Sequence, residues 1–132
     1  MATTSVRYIV EDVGAAVDFY TSYLGFEVQM HPGPGFAMLT RGDLRLLLNS
    51  PGGGGGGGEA VSDRGVPTPG GWNRFQIAVE DLDRAVEQLE DRGASIRHEM
   101  VTGRGGKQLL LEDPSGNLIE LFEPLEGGGR AS

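Results

Sequence analysis

The sequence contains no cysteine, only two histidines, and no apolar run long enough to span a membrane. Without cysteine there are no disulfides, thiolate metal sites or cysteine nucleophiles, and only His31 and His98 could supply an imidazole. Basic residues are also scarce, with 11 Lys+Arg against 19 Asp+Glu and a formal net charge of -8. This acidity gives nucleic acid and anionic membranes no general electrostatic reason to bind. We therefore predict a cytoplasmic protein with neither of these as a partner.

Glycine is abundant, with 23 in 132 residues, but ten of them lie in two runs, Gly52 to Gly58 and Gly127 to Gly129. The rest of the chain is ordinary in composition, and its length suits one domain over residues 1–132. The stretch 51–72 has turn formers but no periodic apolar pattern, so we predict a flexible linker there. Residues 125–132 are expected to form a flexible tail.

The chain repeats itself on either side of this linker. Val10 to Val13 (VEDV) recurs 69 positions later as Val79 to Leu82 (VEDL), and the sequence similarity continues into the following residues. Each copy also ends in an apolar segment closed by proline, at Pro51 and Pro124. The pattern indicates two modules of one kind, residues 5–50 and 73–124.

Both modules predict the same order of elements. Each opens with a strand of alternating apolar and polar residues, followed by a helix with an aspartate N-cap, Asp12 or Asp81, and a glycine stop, Gly25 or Gly93. Three further strands complete each module. Their predicted bounds are Phe26 to His31, Phe36 to Thr40 and Leu44 to Asn49 in the first module, and Ala94 to Val101, Lys107 to Glu112 and Asn117 to Glu123 in the second.

Two tandem βαβββ modules predict an α+β fold. The helices are expected to pack on one face of curved mixed sheets, which leaves a concave cup on the other face. Within each module, the first and last strands are expected to be neighbours.

The most specific motif of the chain is Asp113 to Leu121 (DPSGNLIEL), accompanied by Val10 to Asp12, Phe19-Tyr20, Leu24 to Phe26 and Val79 to Leu82. These motifs resemble those of the vicinal oxygen chelate superfamily, which includes glyoxalase I, bleomycin-resistance proteins and extradiol dioxygenases. The resemblance covers about Ser5 to Pro124. It implies the cup fold described above and a homodimer.

The resemblance also implies a place for a divalent metal, on the first and last strands of each module. Those positions fall on Ser5, Leu47, Arg74 and Glu120, of which only Glu120 is a good ligand for a hard metal ion. A catalytic metal needs about three protein ligands, and Arg74 would repel the ion. We therefore predict that this chain carries no metal and needs no cofactor.

Strand alternation predicts which side chains line the cup. Three of them are arginines, a cationic lining that suits an anionic or carbonyl-rich small molecule, with Gln76 and Asn49 as further donors and Phe122 as an apolar wall. The predicted ligand-binding residues are Ser5, Arg7, Arg45, Leu47, Asn49, Arg74, Gln76, Glu120 and Phe122, with Ile9, Ala78 and Leu118 on the same faces.

Some of these residues have two interpretations. Arg74 either pairs with Glu120 across neighbouring strands or stays free to bind ligand. Arg7 and Arg45 either face the ligand or lie solvated at the rim of the sheet. His98 is either a general base or, as is commoner for a lone strand histidine, a structural residue.

These patterns favour a small-molecule binding protein that works without a metal. The alternative is a metal-dependent lyase, isomerase or dioxygenase of the same superfamily that uses non-standard ligands, so whether the chain is an enzyme stays open. A third possibility is metal-free proton transfer next to a carbonyl, with Glu120 as base and Arg74 as oxyanion partner.

Overall fold

In the computed structural model, residues 4–53, 57–60 and 65–125 are described. The chain forms two compact units, one of Met1–Gly71 with Asp113–Asn117 and one of Trp72–Glu112 with Leu118–Ser132. The first unit thus includes the described part of the predicted linker up to Gly71, and Trp72 begins the second unit. Part of that linker and residues 126–132 of the predicted tail lie outside the described residues, and the flexibility of both segments stays a prediction.

The first unit contains one helix and a four-stranded mixed sheet in the order β1-β4-β3-β2. Strands β1 and β4 are parallel, and the other neighbouring pairs are antiparallel. The first and last strands of the module are therefore neighbours, as predicted. Helix α1 packs on β2, β3 and β4. The elements are β1 (Thr4–Ile9), α1 (Val13–Leu24), β2 (Glu27–Gly33), β3 (Phe36–Arg41) and β4 (Leu44–Asn49).

Helix α1 begins and ends where the sequence predicts. The Asp12 carboxylate accepts from the Ala15 amide at 3.0 Å, and Gly25 ends the helix in the left-handed conformation with φ 73°. The helix buries an apolar stripe of Val13, Ala16, Val17, Tyr20 and Leu24, of which Tyr20 is the largest. It packs with the alternate apolar residues of the sheet, including Leu39, Leu46 and Leu48.

The second unit has the same arrangement, with its sheet in the order β5-β8-β7-β6 and β5 parallel to β8. Helix α2 packs on β8 and is N-capped by Asp81, whose carboxylate accepts from the Arg84 amide at 3.1 Å. The helix ends at Asp91, Arg92 is its C-cap, and Gly93 follows with φ 94°. The elements are β5 (Arg74–Ala78), α2 (Leu82–Asp91), β6 (Val101–Thr102), β7 (Gly106–Glu112) and β8 (Leu118–Pro124).

The two βαβββ modules predicted from the repeat are thereby confirmed. The strand predicted over Ala94 to Val101 is wrong for most of its length, because only Val101–Thr102 pairs with β7. The preceding residues are irregular, and the side chains of Arg97 and His98 contact Glu112 of β7 instead. Neither helix among the described residues has the length and apolar character needed to cross a membrane.

Candidate functional site

The predicted cup residues of the first unit share one face of its sheet. We call the face opposite the helix the open face. Ser5, Arg7 and Ile9 of β1 lie beside their partners on β4 in parallel register. Those partners are, in the same order, Arg45, Leu47 and Asn49.

Strand β3 widens this face with residues that the sequence analysis did not include. Phe36, Met38 and Thr40 lie opposite Asn49, Leu47 and Arg45, respectively. The same period-2 alternation on β3 would have found them. They make the face more apolar than predicted, so the two arginines stand beside a hydrophobic surface.

Arg7 and Arg45 belong to no ion pair within the described part of the chain. The Arg7 side chain is exposed and Arg45 is half-buried. The backbone of Gly57 lies against Arg7, because a Cβ added at Gly57 would fall 2.5 Å from the Arg7 Nε and 2.7 Å from the Asn49 Oδ1. A described part of the glycine-rich stretch therefore borders the open face of the first unit.

The open face of the second unit is arranged in three rows across its strands β5, β8 and β7. Glu120 occupies the central row between Gln76 and Leu110, and it is 8% exposed. One outer row is Ala78, Phe122 and Gln108, and the other is Arg74, Leu118 and Glu112. The β7 members of these rows were also absent from the predicted site.

Glu120 is neutralised by its neighbours on β5. Arg74 directs both Nε and Nη2 at the Glu120 Oε1, each at 3.0 Å, and the Gln76 Nε2 donates to the Oε2 at 2.7 Å. The remaining Arg74 nitrogen, Nη1, donates to the Trp72 carbonyl at 3.3 Å. Of the two interpretations of Arg74, the structure shows the ion pair, whereas Arg7 and Arg45 have no such pair among the described residues.

His98 has a partner that the sequence analysis missed. Its Nε2 lies 2.7 Å from the Glu112 Oε2, and the Arg97 Nη1 lies 3.7 Å from the Oε1 of the same carboxylate. The two ends of this contact are 14 residues apart and come from different elements, so no local pattern pairs them.

The model of the Glyoxalase/Bleomycin resistance protein/Dioxygenase superfamily matches residues 3–121. The chain belongs to this superfamily. A relative described as "Probable lactoylglutathione lyase, chloroplastic", from Arabidopsis thaliana, is 28% identical over 123 residues. The match covers 89% of this chain and 34% of that protein, so the chain spans about a third of the relative's length.

Several solved structures share the fold of this chain. A glyoxalase/bleomycin resistance protein/dioxygenase from Nocardioides has a TM-score of 0.73 and 24% identity, with 100% of this chain and 89% of that one covered. TnmS3, an antibiotic binding protein from Streptomyces sp. CB03234, has a TM-score of 0.70 and 25% identity, with 95% and 99% covered.

The residues at the superfamily's metal positions do not suit a divalent ion in this chain. Leu47 offers no donor atom, and Arg74 places a fixed positive charge on the Glu120 oxygen that would bind the metal. Gln76 occupies the other oxygen of that carboxylate. No group of three or more His, Asp or Glu side chains able to hold a metal is found among the residues that the structure describes.

Proposed function

We propose that the chain binds a small anionic or carbonyl-rich molecule on its open faces without the help of a metal. The observation that carries this proposal is the position of Arg7 and Arg45 beside Leu47 on one open face, without a described carboxylate partner. A guanidinium binds carboxylate or carbonyl oxygens through charge-assisted hydrogen bonds, and an apolar surface holds the rest of the molecule. On the open face of the first unit, the proposed ligand contacts are Ser5, Arg7, Arg45, Leu47 and Asn49, and on the open face of the second unit they are Arg74, Gln76, Glu120 and Phe122.

The contacts of Glu120 support the metal-free part of the proposal. A metal would have to displace Arg74 from a carboxylate that is 8% exposed, and it would then lie next to the released guanidinium. That repulsion acts in a partly desolvated place where charges interact strongly. Glu120 therefore serves to fix Arg74 and Gln76 rather than to hold an ion.

The similarity to an antibiotic binding protein supports binding rather than turnover. TnmS3 matches this chain over nearly the full length of both proteins. Its identity of 25% is too low to transfer a ligand, so the chemical class comes from the arginines of this chain.

The test uses a carbonyl acid and its neutral counterpart. NMR titration with benzoylformate, within a panel of anionic aromatic acids, is expected to shift the resonances of open-face residues of the first unit. The neutral ester methyl benzoylformate is expected to bind more weakly.

Variants of the two arginines test their part in binding. Arg7→Gln and Arg45→Gln are each expected to lower the affinity for benzoylformate about tenfold, because each removes a charge-assisted hydrogen bond. Arg104→Gln is the matched control, since Arg104 is an exposed turn residue. The affinity is expected to survive treatment with EDTA, and a panel without saturable binding contradicts the proposal.

The second candidate is a metal-dependent lyase, isomerase or dioxygenase with non-standard ligands. The lactoylglutathione lyase described above favours it, although this chain spans only about a third of that relative. Elemental analysis after reconstitution separates the two functions. One tightly held Ni²⁺, Zn²⁺, Mn²⁺ or Fe²⁺ per chain that is lost in Glu120→Ala would establish the metal-dependent function. The homodimer and the cytoplasmic location stay predictions under either function.

A further inference from the structure

A groove of about 380 Å³ lies on the second unit, at the β6 and β7 side of its sheet. Gln108 and Leu110 of its lining are the register partners of Phe122 and Glu120, so the groove belongs to the open face. Its volume is within the range of small-ligand sites, about 300–1,000 Å³. The lining residues are Arg97, His98, Glu99, Val101, Gln108 and Leu110.

Glu112 determines which nitrogen of His98 is available in this groove. The His98 Nε2 lies 2.7 Å from the Glu112 Oε2, and an ionised carboxylate only accepts hydrogen bonds. In the neutral imidazole, a hydrogen bond to this carboxylate requires the hydrogen on Nε2, which leaves Nδ1 as an acceptor. The Arg97 Nη1 lies 3.7 Å from the other oxygen of the same carboxylate.

The charges around the groove favour a neutral ligand. Glu99 lines the groove and Glu112 lies next to it, so two carboxylates oppose an anion, whereas Arg97 opposes a cation. Val101 is 55% exposed and lies in the lining with Leu110, and both offer apolar contact area to a ring.

We propose that this groove binds a small aromatic molecule through its hydroxyl group, which donates a hydrogen bond to the His98 Nδ1. Val101 and Leu110 contact the ring, and Glu112 is a positioning residue that fixes the imidazole. None of the residues lining the groove is among the nine ligand contacts proposed above, so the two proposals are tested separately.

The wild-type protein provides the first test. 4-Chlorophenol is expected to bind about tenfold more tightly than 4-chloroanisole, which has the same ring but no hydroxyl hydrogen to donate. In two-dimensional NMR spectra the phenol shifts Val101, Gln108 and Leu110, and the ¹⁵N shifts of His98 show a protonated Nε2. Equal affinities, shifts elsewhere in the protein, or a protonated Nδ1 overturn the proposal.

Variants give the second test. His98→Phe keeps a ring but removes the acceptor, so the preference for phenol over anisole is expected to disappear, while the matched variant His31→Phe keeps it. In Glu112→Gln, the side-chain amide can either accept a hydrogen bond from the His98 imidazole or donate one to it. The preference for the phenol over the anisole is therefore reduced, and the fraction of His98 with a protonated Nδ1 increases. A His98→Phe protein that still prefers the phenol overturns the proposal. If that variant does not fold, the wild-type affinity ratio and the His98 ¹⁵N shifts decide.

Discussion

Tyr20 donates its hydroxyl hydrogen to the Asp113 Oδ2 at 2.8 Å, although the two residues are 93 positions apart. The Asn117 Nδ2 donates to the same oxygen at 3.0 Å, and the amides of Ser115 and Asn117 donate to the Oδ1, each at 2.9 Å. The Asn117 Nδ2 also reaches the Ile9 carbonyl at 2.8 Å. The DPSGN stretch that most clearly resembles the superfamily is thus a fully hydrogen-bonded turn against α1 and β1.

The first prediction concerns this buried hydrogen bond. Tyr20→Phe is expected to lower the free energy of unfolding by about 1.5–3 kcal/mol, because the Asp113 carboxylate loses a donor while it stays buried. Urea unfolding followed by circular dichroism measures the change. Tyr23→Phe on the same helix is the control, since the structure shows no hydrogen bond from the Tyr23 hydroxyl to a described residue. Equal stability of the two variants would contradict the role of Tyr20.

The second prediction follows from the raised pKa of Tyr20. Burial, and then the negative charge of Asp113, hold the pKa of the Tyr20 hydroxyl well above its ordinary value of about 10. The unfolded chain therefore loses this proton first, so the stabilisation is complete below about pH 10 and falls as the pH rises. The advantage of wild type over Tyr20→Phe is expected to shrink by about 1.4 kcal/mol by pH 11. An advantage that stays constant in urea unfolding up to pH 11 rules this out.

The fold was largely predictable because its signals are local. The repeat, the alternation on β1 and β4, and the caps at Asp12, Gly25 and Asp81 each depend on neighbouring residues, and the structure has all of them. The prediction failed over Ala94 to Val101, where the periodicity resembles a strand. There the side chains of Arg97 and His98 contact a distant carboxylate, which a local pattern does not contain.

The candidate site was predictable only in part for the same reason. Alternation correctly assigned faces, but it did not decide whether Arg74 pairs with Glu120 or stays free, since that depends on side-chain conformation. The structure resolves this choice with two donors from Arg74 on a single oxygen. The pair of His98 and Glu112 requires the register of β7 and the path of an irregular segment, and neither is encoded in a short motif.

The third prediction concerns the ion pair of Arg74 and Glu120. Arg74→Met is expected to lower the free energy of unfolding by about 2 kcal/mol, because it leaves a mostly buried carboxylate with Gln76 alone. Adding Glu120→Leu recovers much of that loss, since the resulting pair of apolar side chains leaves no buried charge that needs a partner. A double-mutant cycle measured by urea unfolding is expected to give a coupling of about 1–2 kcal/mol.

Arg97 and Glu112 provide the comparison for this cycle. The Arg97 Nη1 lies 3.7 Å from the Glu112 Oε1, and the Arg97 side chain is 68% exposed. Because solvent screens this pair, its coupling energy is expected to stay below about 0.5 kcal/mol. Similar couplings in the two cycles would show that the Arg74 pair is no stronger than a surface contact. The metal-free proposal would then lose its main physical support.

The last prediction uses the close approach of Gly57 to Arg7. In Gly57→Ala the new methyl group would overlap the Arg7 guanidinium and the Asn49 Oδ1, so Arg7 must move away. The long Arg7 side chain can do so easily, but Asn49 is fully buried and its Oδ1 has less room to shift, so the loss in unfolding free energy is expected to be about 1–3 kcal/mol. The affinity for benzoylformate, however, falls several-fold if Arg7 binds the acid. Gly33→Ala is the control, since a Cβ there meets no atom within 4 Å. The Arg7 Nε–H resonance shows whether the side chain has moved in Gly57→Ala. If it has moved and the affinity for benzoylformate is unchanged, Arg7 does not contact the acid, and Arg45 is the cation that binds it.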